Sequence, residues 1–147
     1  MAAKGVTEKG QSSDGPVWNV VGHTYTPKFV SENAFIWHGI LPADTFVPPH
    51  IHTTQDEWIC VLRGELEIEF DGEPPVKAAA GDTVRMPQSG QHGIFNRSGA
   101  EAEVMFGAAP TGKLYDLFVN LDRVTDPAEL VRISAEHDVV FPPPPGA

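Results

Sequence analysis

The sequence predicts an all-β barrel followed by helices, and three observations carry that prediction. Residues 16–110 are short apolar runs broken by turn residues, in a chain of 147 residues holding 14 Gly and 14 Pro. Many turns and short strands are what a closed or doubled sheet requires. Within this region Glu65-Leu66-Glu67-Ile68-Glu69-Phe70 alternates acidic and apolar residues strictly, the mark of a strand with one wet face. After residue 111 the apolar spacing changes from two to 3.6, so the chain leaves the sheet and turns helical.

The elements follow in order. Residues 1–15 are polar and Gly/Ser-rich, and a flexible segment is expected there. Residues 17–25 and 33–41 supply the first strands. His50-Ile51-His52 then places two imidazoles two residues apart, on one face of a strand. Trp58-Ile59-Cys60-Val61-Leu62 is continuously apolar and is expected to be buried on both faces, with Arg63-Gly64 closing it in a turn. The alternating strand 65–70 ends at Asp71-Gly72, a tight-turn pair. Thr83 to Met86 is a strand stopped by Pro87, and Ala102 to Ala108 another, with Val104 and Phe106 on one face. Residues 111–147 form C-terminal helices and a Pro-rich tail. Leu114, Leu117, Phe118 and Leu121 make one apolar helix face. Asp126-Pro127-Ala128-Glu129 opens a second helix, with Asp126 as N-cap and Glu129 reaching back, and Leu130 and Ile133 as its apolar stripe. These helices are expected to pack on the barrel, with covering of its mouth as the alternative. Residues 139–147 form an extended tail.

Composition excludes several functions. Ten Lys+Arg against twenty Asp+Glu give a net charge of -10. Such a surface repels phosphate, so neither nucleic acid nor an anionic membrane is an expected partner. No apolar run approaches the roughly 18–20 residues of a membrane span. The N-terminus lacks the apolar core of a secretory signal, and Cys60 is the only cysteine, so a cytoplasmic location is expected.

The chemistry gathers at four residues. His50, His52, Glu57 and His92 offer three imidazole nitrogens and one carboxylate oxygen, a ligand set for one divalent transition metal ion. Iron, manganese, nickel, cobalt, copper and zinc all accept such ligands. Four ligands on an octahedral ion leave two positions open for substrate, water or dioxygen. Phe29, Phe35, Trp37, Phe46, Phe95 and Phe106 are candidates for the apolar wall. His23, Tyr25, His38 and His137 read as core or surface residues rather than ligands. Asp56 alternates away from Glu57, and Cys60 reads as a small hydrophobe.

These residues resemble the two motifs of the cupin superfamily. The first, Gly, five residues, His-x-His, a Glu and a closing Gly, is matched by His50, His52, Glu57 and Gly64, with Asp44 at the opening Gly position. The second is matched by Gly81, Pro87, His92 and Asn96, with its inner Gly displaced from Ser89 to Gly90. Both departures fall on turns. The resemblance implies a double-stranded β-helix, or jelly-roll barrel, over residues 16–110. Val20-Val21-Gly22, Pro48-Pro49, Asp56-Glu57 and Ala109-Pro110-Thr111-Gly112 are further similar to single-domain members of the quercetin 2,3-dioxygenase-like group. That likeness implies a dioxygenase acting on a small aromatic or enolic compound. Glu57 would accept the substrate hydroxyl proton, and His50, His52 and His92 would hold the metal. A metal-bound carboxylate is ionised and sits beside the acidified hydroxyl, which suits this role. The alternatives are a non-redox isomerase, lyase or decarboxylase on the same site, or a non-catalytic small-molecule binding protein. A homodimer is also expected, both from the family habit and from the two apolar faces of residues 58–62.

Overall fold

Alternating apolar side chains fold the chain into two antiparallel sheets laid face to face, with two helices at one end. The computed structural model describes residues 3–143. The strands are β1 Trp18–Val20, β2 His23–Val30, β3 Phe35–Leu41, β4 Phe46–His52, β5 Asp56–Arg63, β6 Glu65–Phe70, β7 Val76–Ala79, β8 Thr83–Met86, β9 Gln91–Phe95 and β10 Ala102–Ala109. Helices α1, Leu114–Leu121, and α2, Pro127–Glu136, follow, then the short β11, Val139–Val140. One sheet runs β1-β2-β3-β10-β5-β8 and the other β11-β4-β9-β6-β7. This is the jelly-roll architecture of cupins with C-terminal helices, as expected.

The core lies between the sheets. Trp37 stacks on Phe35 at 4.6 Å and on Phe106 at 4.9 Å, with the second pair nearly parallel at 6°. Leu66 and Ile68 point inward from β6, and its glutamates point outward, as the alternation requires. In α1, Leu114, Leu117, Phe118 and Leu121 are all buried. Each such side chain contributes roughly 1.5–3 kcal/mol by leaving water. Asp126 caps α2 by accepting from the Ala128 N–H at 3.2 Å, with Pro127 in the first turn. Glu129 does not reach back to the cap; its carboxylate pairs with Arg132 one turn on.

Several expectations need correction. Residues 17–25 are not one strand. Val21 and Gly22 both have positive φ, 49° and 85°, so the chain reverses there and β1 pairs with β2 as a hairpin. Residues 58–62 are not buried on both faces. Ile59 and Val61 point into the core, while Trp58 and Cys60 are half-buried and Leu62 is exposed on the outer face. Trp58 lies flat over Gly107 of β10, where any side chain would collide with its indole. A run that reads as doubly buried is thus one-sided, with its outer aromatic covering a glycine. Residues 3–15, the part of the expected flexible segment within the described residues, make hydrogen bonds to β2. Thr7 Oγ1 donates to the Lys28 carbonyl at 2.9 Å, Lys28 Nζ donates to the Glu8 and Gln11 carbonyls, and the Ser13 N–H donates to the Pro27 carbonyl. Of the tail, Val139 and Val140 extend the second sheet beside His52 and Ile51; residues 144–147 lie outside the described residues.

Candidate metal centre

Three imidazoles meet inside the barrel because of strand register. His50 and His52 share the inner face of β4, and His92 on β9 stands directly opposite His50. Ring centroids are 4.5 Å apart for His50 and His92, 5.1 Å for His50 and His52, and 5.6 Å for His52 and His92. One nitrogen from each ring lies within 4.8 Å of the others, and all three side chains are buried.

Pro48 and Pro49 shape the approach. They interrupt the pairing of β4 with β9 between Val47 and His50. The Pro48 carbonyl accepts a hydrogen bond from His50 Nδ1 at 2.8 Å. A carbonyl can only accept, so the ring proton sits on Nδ1 and Nε2 keeps its lone pair. Gly93 makes room for this bulge, since a Cβ there would meet the Phe95 ring at 2.9 Å and Pro49 at 3.2 Å.

Glu57 enters from β5, on the opposite sheet. Its Oε2 lies 2.9 Å from Nε2 of His52. It is therefore joined to one imidazole and is not part of the three-nitrogen cluster itself. The electrostatics follow from burial. Desolvation, aided by the charges of His92 and His52, pushes the His50 pKa down to about 3. Desolvation lowers His92 as well. For His52, burial works downward, but the Glu57 charge and hydrogen bond outweigh it and raise the pKa. For Glu57, burial works upward and is outweighed first by His52, then by His92 and His50, so its carboxyl lies below the usual range. The result is two imidazoles, His50 and His92, held neutral, and a third, His52, paired with an ionised carboxylate.

This donor set fits a transition metal ion. His52 Nδ1 and both ring nitrogens of His92 are buried without a hydrogen-bond partner. Each such atom costs about 1–3 kcal/mol. A metal ion that accepts one lone pair from each ring relieves part of that cost, and imidazole nitrogens of borderline softness suit such an ion.

The remaining expectations sort by face. Trp37 and Phe106 line the cavity beside the histidines, with Tyr25. Phe35 is buried in the core. Phe29 and Phe46 are exposed instead, and Phe46 stacks on Phe95 at 5.6 Å across the β4–β9 pair. His23 is a satisfied core residue, bonded to Tyr25 Oη at 3.0 Å and Thr45 Oγ1 at 2.9 Å. His38 pairs with Glu103 at 2.7 Å, and His137 binds the Ile133 carbonyl at 2.8 Å, so neither belongs to the centre. Asp56 faces away and accepts from the Gln88 N–H. Asp44 and Ser89, which replace motif glycines, both adopt positive φ, 64° and 69°, so the turns survive the substitutions. Asn96 braces the fold, donating to the Leu41 and Ala100 carbonyls.

One contributor escapes sequence reasoning. Gln55 is fully buried and donates to the Thr111 carbonyl at 3.2 Å, two residues from Glu57. The structure also decides between the two expectations for the helices and tail. Leu117, Phe118, Leu130, Ser134 and Phe141 wall the cavity, so this segment covers the barrel mouth as well as packing on it. Phe141 lies against the His50 ring at 5.2 Å. The cavity left is small, about 50 Å³.

Comparison with known proteins agrees. Residues 37–107 match the cupin domain family. The KdgF structure from a Halomonas species superposes with a TM-score of 0.64 at 17% identity, over 74% of this chain and 94% of that one. The TT1209 protein of Thermus thermophilus superposes with a TM-score of 0.56 at 26% identity, over 60% and 83% of the two chains. An oxalate oxidase superposes with a TM-score of 0.53 at 21% identity, over 61% and 52%. No curated protein matches the chain. Motifs, fold and the matched domain together support a place in the cupin superfamily, with a three-histidine cluster that could hold a metal ion.

Proposed function

We propose that this chain is a metal-dependent dioxygenase acting on a small enolic compound at His50, His52, His92 and Glu57. One observation carries the reading. An ionised, buried carboxylate stands against His52 in an apolar cavity, and His52 and His92 carry buried ring nitrogens without a hydrogen-bond partner. Bound there, a divalent transition metal would supply Lewis acidity toward a substrate oxygen and, if redox-active, a path for electrons to dioxygen. The protein supplies the rest. Pro48 fixes the His50 ring through Nδ1. Glu57, kept ionised by the neighbouring imidazoles, takes the enol proton at a carboxylate oxygen. Trp37, Phe106, Phe118 and Phe141 exclude water from the activated substrate.

The cavity volume favours the enolic over the large aromatic substrate. About 50 Å³ holds few atoms beyond a water molecule, whose share of liquid volume is about 30 Å³. Val21, Leu130 and Phe141 also border an outer groove of about 1200 Å³, so displacement of these side chains is the route by which anything larger enters. The test is an oxygen-uptake screen of the metal-loaded protein over diketones, catechols and flavonols, beside Glu57→Gln. Uptake with a small diketone, lost by at least about a hundredfold in Glu57→Gln, is expected for a general base. Product without oxygen uptake would move the reading to a non-redox isomerase or lyase. Full activity in Glu57→Gln would remove the proton-acceptor role.

A further inference from the structure

Among the polar groups around this cavity, Ser134 stands apart because it comes from the C-terminal helices. It lies in the C-terminal half of α2, is fully buried, and lines the cavity with His50, His52 and Glu57. Its Oγ has no hydrogen-bond partner. A helical serine commonly returns its hydroxyl to a carbonyl one turn earlier, and this one does not. Its neighbours on the same helix face are Leu130 and Ile133, and alanine there would be both a better helix former and free of an unpaired hydroxyl.

Charge is the second observation. No lysine or arginine is among the described residues that line this cavity. The walls are aliphatic and aromatic, and Trp37 adds an indole N–H that is also buried without an acceptor. Glu57 already places a carboxylate there. With a divalent ion and the Glu57 carboxylate the centre would hold one net positive charge. A dicarboxylate or phosphate dianion would therefore leave excess negative charge in an apolar space with no lysine or arginine to meet it, at high desolvation cost. A neutral molecule carrying oxygen atoms meets a hydroxyl and an indole donor, and can pass one acidic proton to Glu57 without adding net charge.

We propose that the cavity selects a neutral, oxygen-bearing, enolisable compound, and that the Ser134 hydroxyl determines this specificity by hydrogen-bonding one of its oxygens. The inference rests on the metal centre proposed above and names its substrate class. Acetylacetone and malonate separate the possibilities, since both carry seven heavy atoms in nearly the same shape, require the same displacement of Leu130 and Phe141 to enter, and differ in charge.

The full chain loaded with cobalt(II) would be titrated with each probe, following the visible cobalt bands, in wild type and Ser134→Ala. Acetylacetone is expected to bind at least about tenfold more tightly than malonate. Ser134→Ala is expected to weaken acetylacetone about tenfold, the value of one good hydrogen bond. The unliganded melting temperature of that variant should be unchanged or raised, whereas a serine with a purely structural role would lower it. Malonate binding as tightly as acetylacetone, or an unaltered acetylacetone affinity in Ser134→Ala, overturns the proposal while leaving the metal centre standing. Failure to take up cobalt at all would overturn both.

Discussion

His23 shows how a single buried side chain sets the conditions under which this protein is stable. It is fully enclosed and held between Tyr25 Oη and Thr45 Oγ1. Burial pushes its pKa down from 6.5 to about 4. The folded value lies below the unfolded one, so the unfolded chain takes up the proton first. Stability is full above about pH 6.5 and is lost as the pH falls toward 4. At pH 4.5 this one residue costs about 2 to 3 kcal/mol relative to pH 7. Urea unfolding at the two pH values should show that His23→Gln loses less stability on acidification than wild type, by about this amount. Equal losses would mean that His23 is not buried neutral. At this scale the clustered histidines were legible, because His-x-His spacing on a strand is geometry in one dimension. Gln55 and Ser134 were not. Each is an ordinary polar residue whose importance comes from contacts 56 positions away in one case and from a cavity wall in the other.

At the scale of elements, period-two alternation predicted β6, and period-3.6 spacing predicted the buried face of α1, side chain by side chain. Alternation failed where both faces are apolar. In β5, Trp58, Cys60 and Leu62 read like core residues, yet they occupy the outer face. The missing information is in another strand, because Gly107 of β10 leaves the space that the Trp58 indole fills. Gly107→Ala should therefore destabilise the fold by about 1–3 kcal/mol, as overpacking does. Gly107→Ala combined with Trp58→Ala should recover part of that loss, because the clash is gone. Thermal or urea unfolding of the three variants checks this, and additive losses would contradict the contact. The turn at Val21-Gly22 was missed for a related reason: a valine at positive φ goes against its local preference, and the β1–β2 pairing imposes it.

For the whole molecule, the arrangement reduces to two sheets that each deliver part of one centre and a C-terminal segment that closes it. The five-stranded sheet brings His50, His52 and His92, and the six-stranded sheet brings Glu57. Sequence motifs predicted the convergence, but not the closure, since packing on a barrel and covering its mouth demand the same amphipathic helices. That cover shields the centre from water, and the desolvation is what holds His50 and His92 neutral. The most direct measurement of the central claim is the metal content of the purified chain beside His52→Ala, by inductively coupled plasma mass spectrometry. The account predicts one transition-metal ion per wild-type chain and less than about a tenth of that in His52→Ala. Equal metal content in the two proteins, or a metal-free wild type that takes up none when supplied, would contradict it.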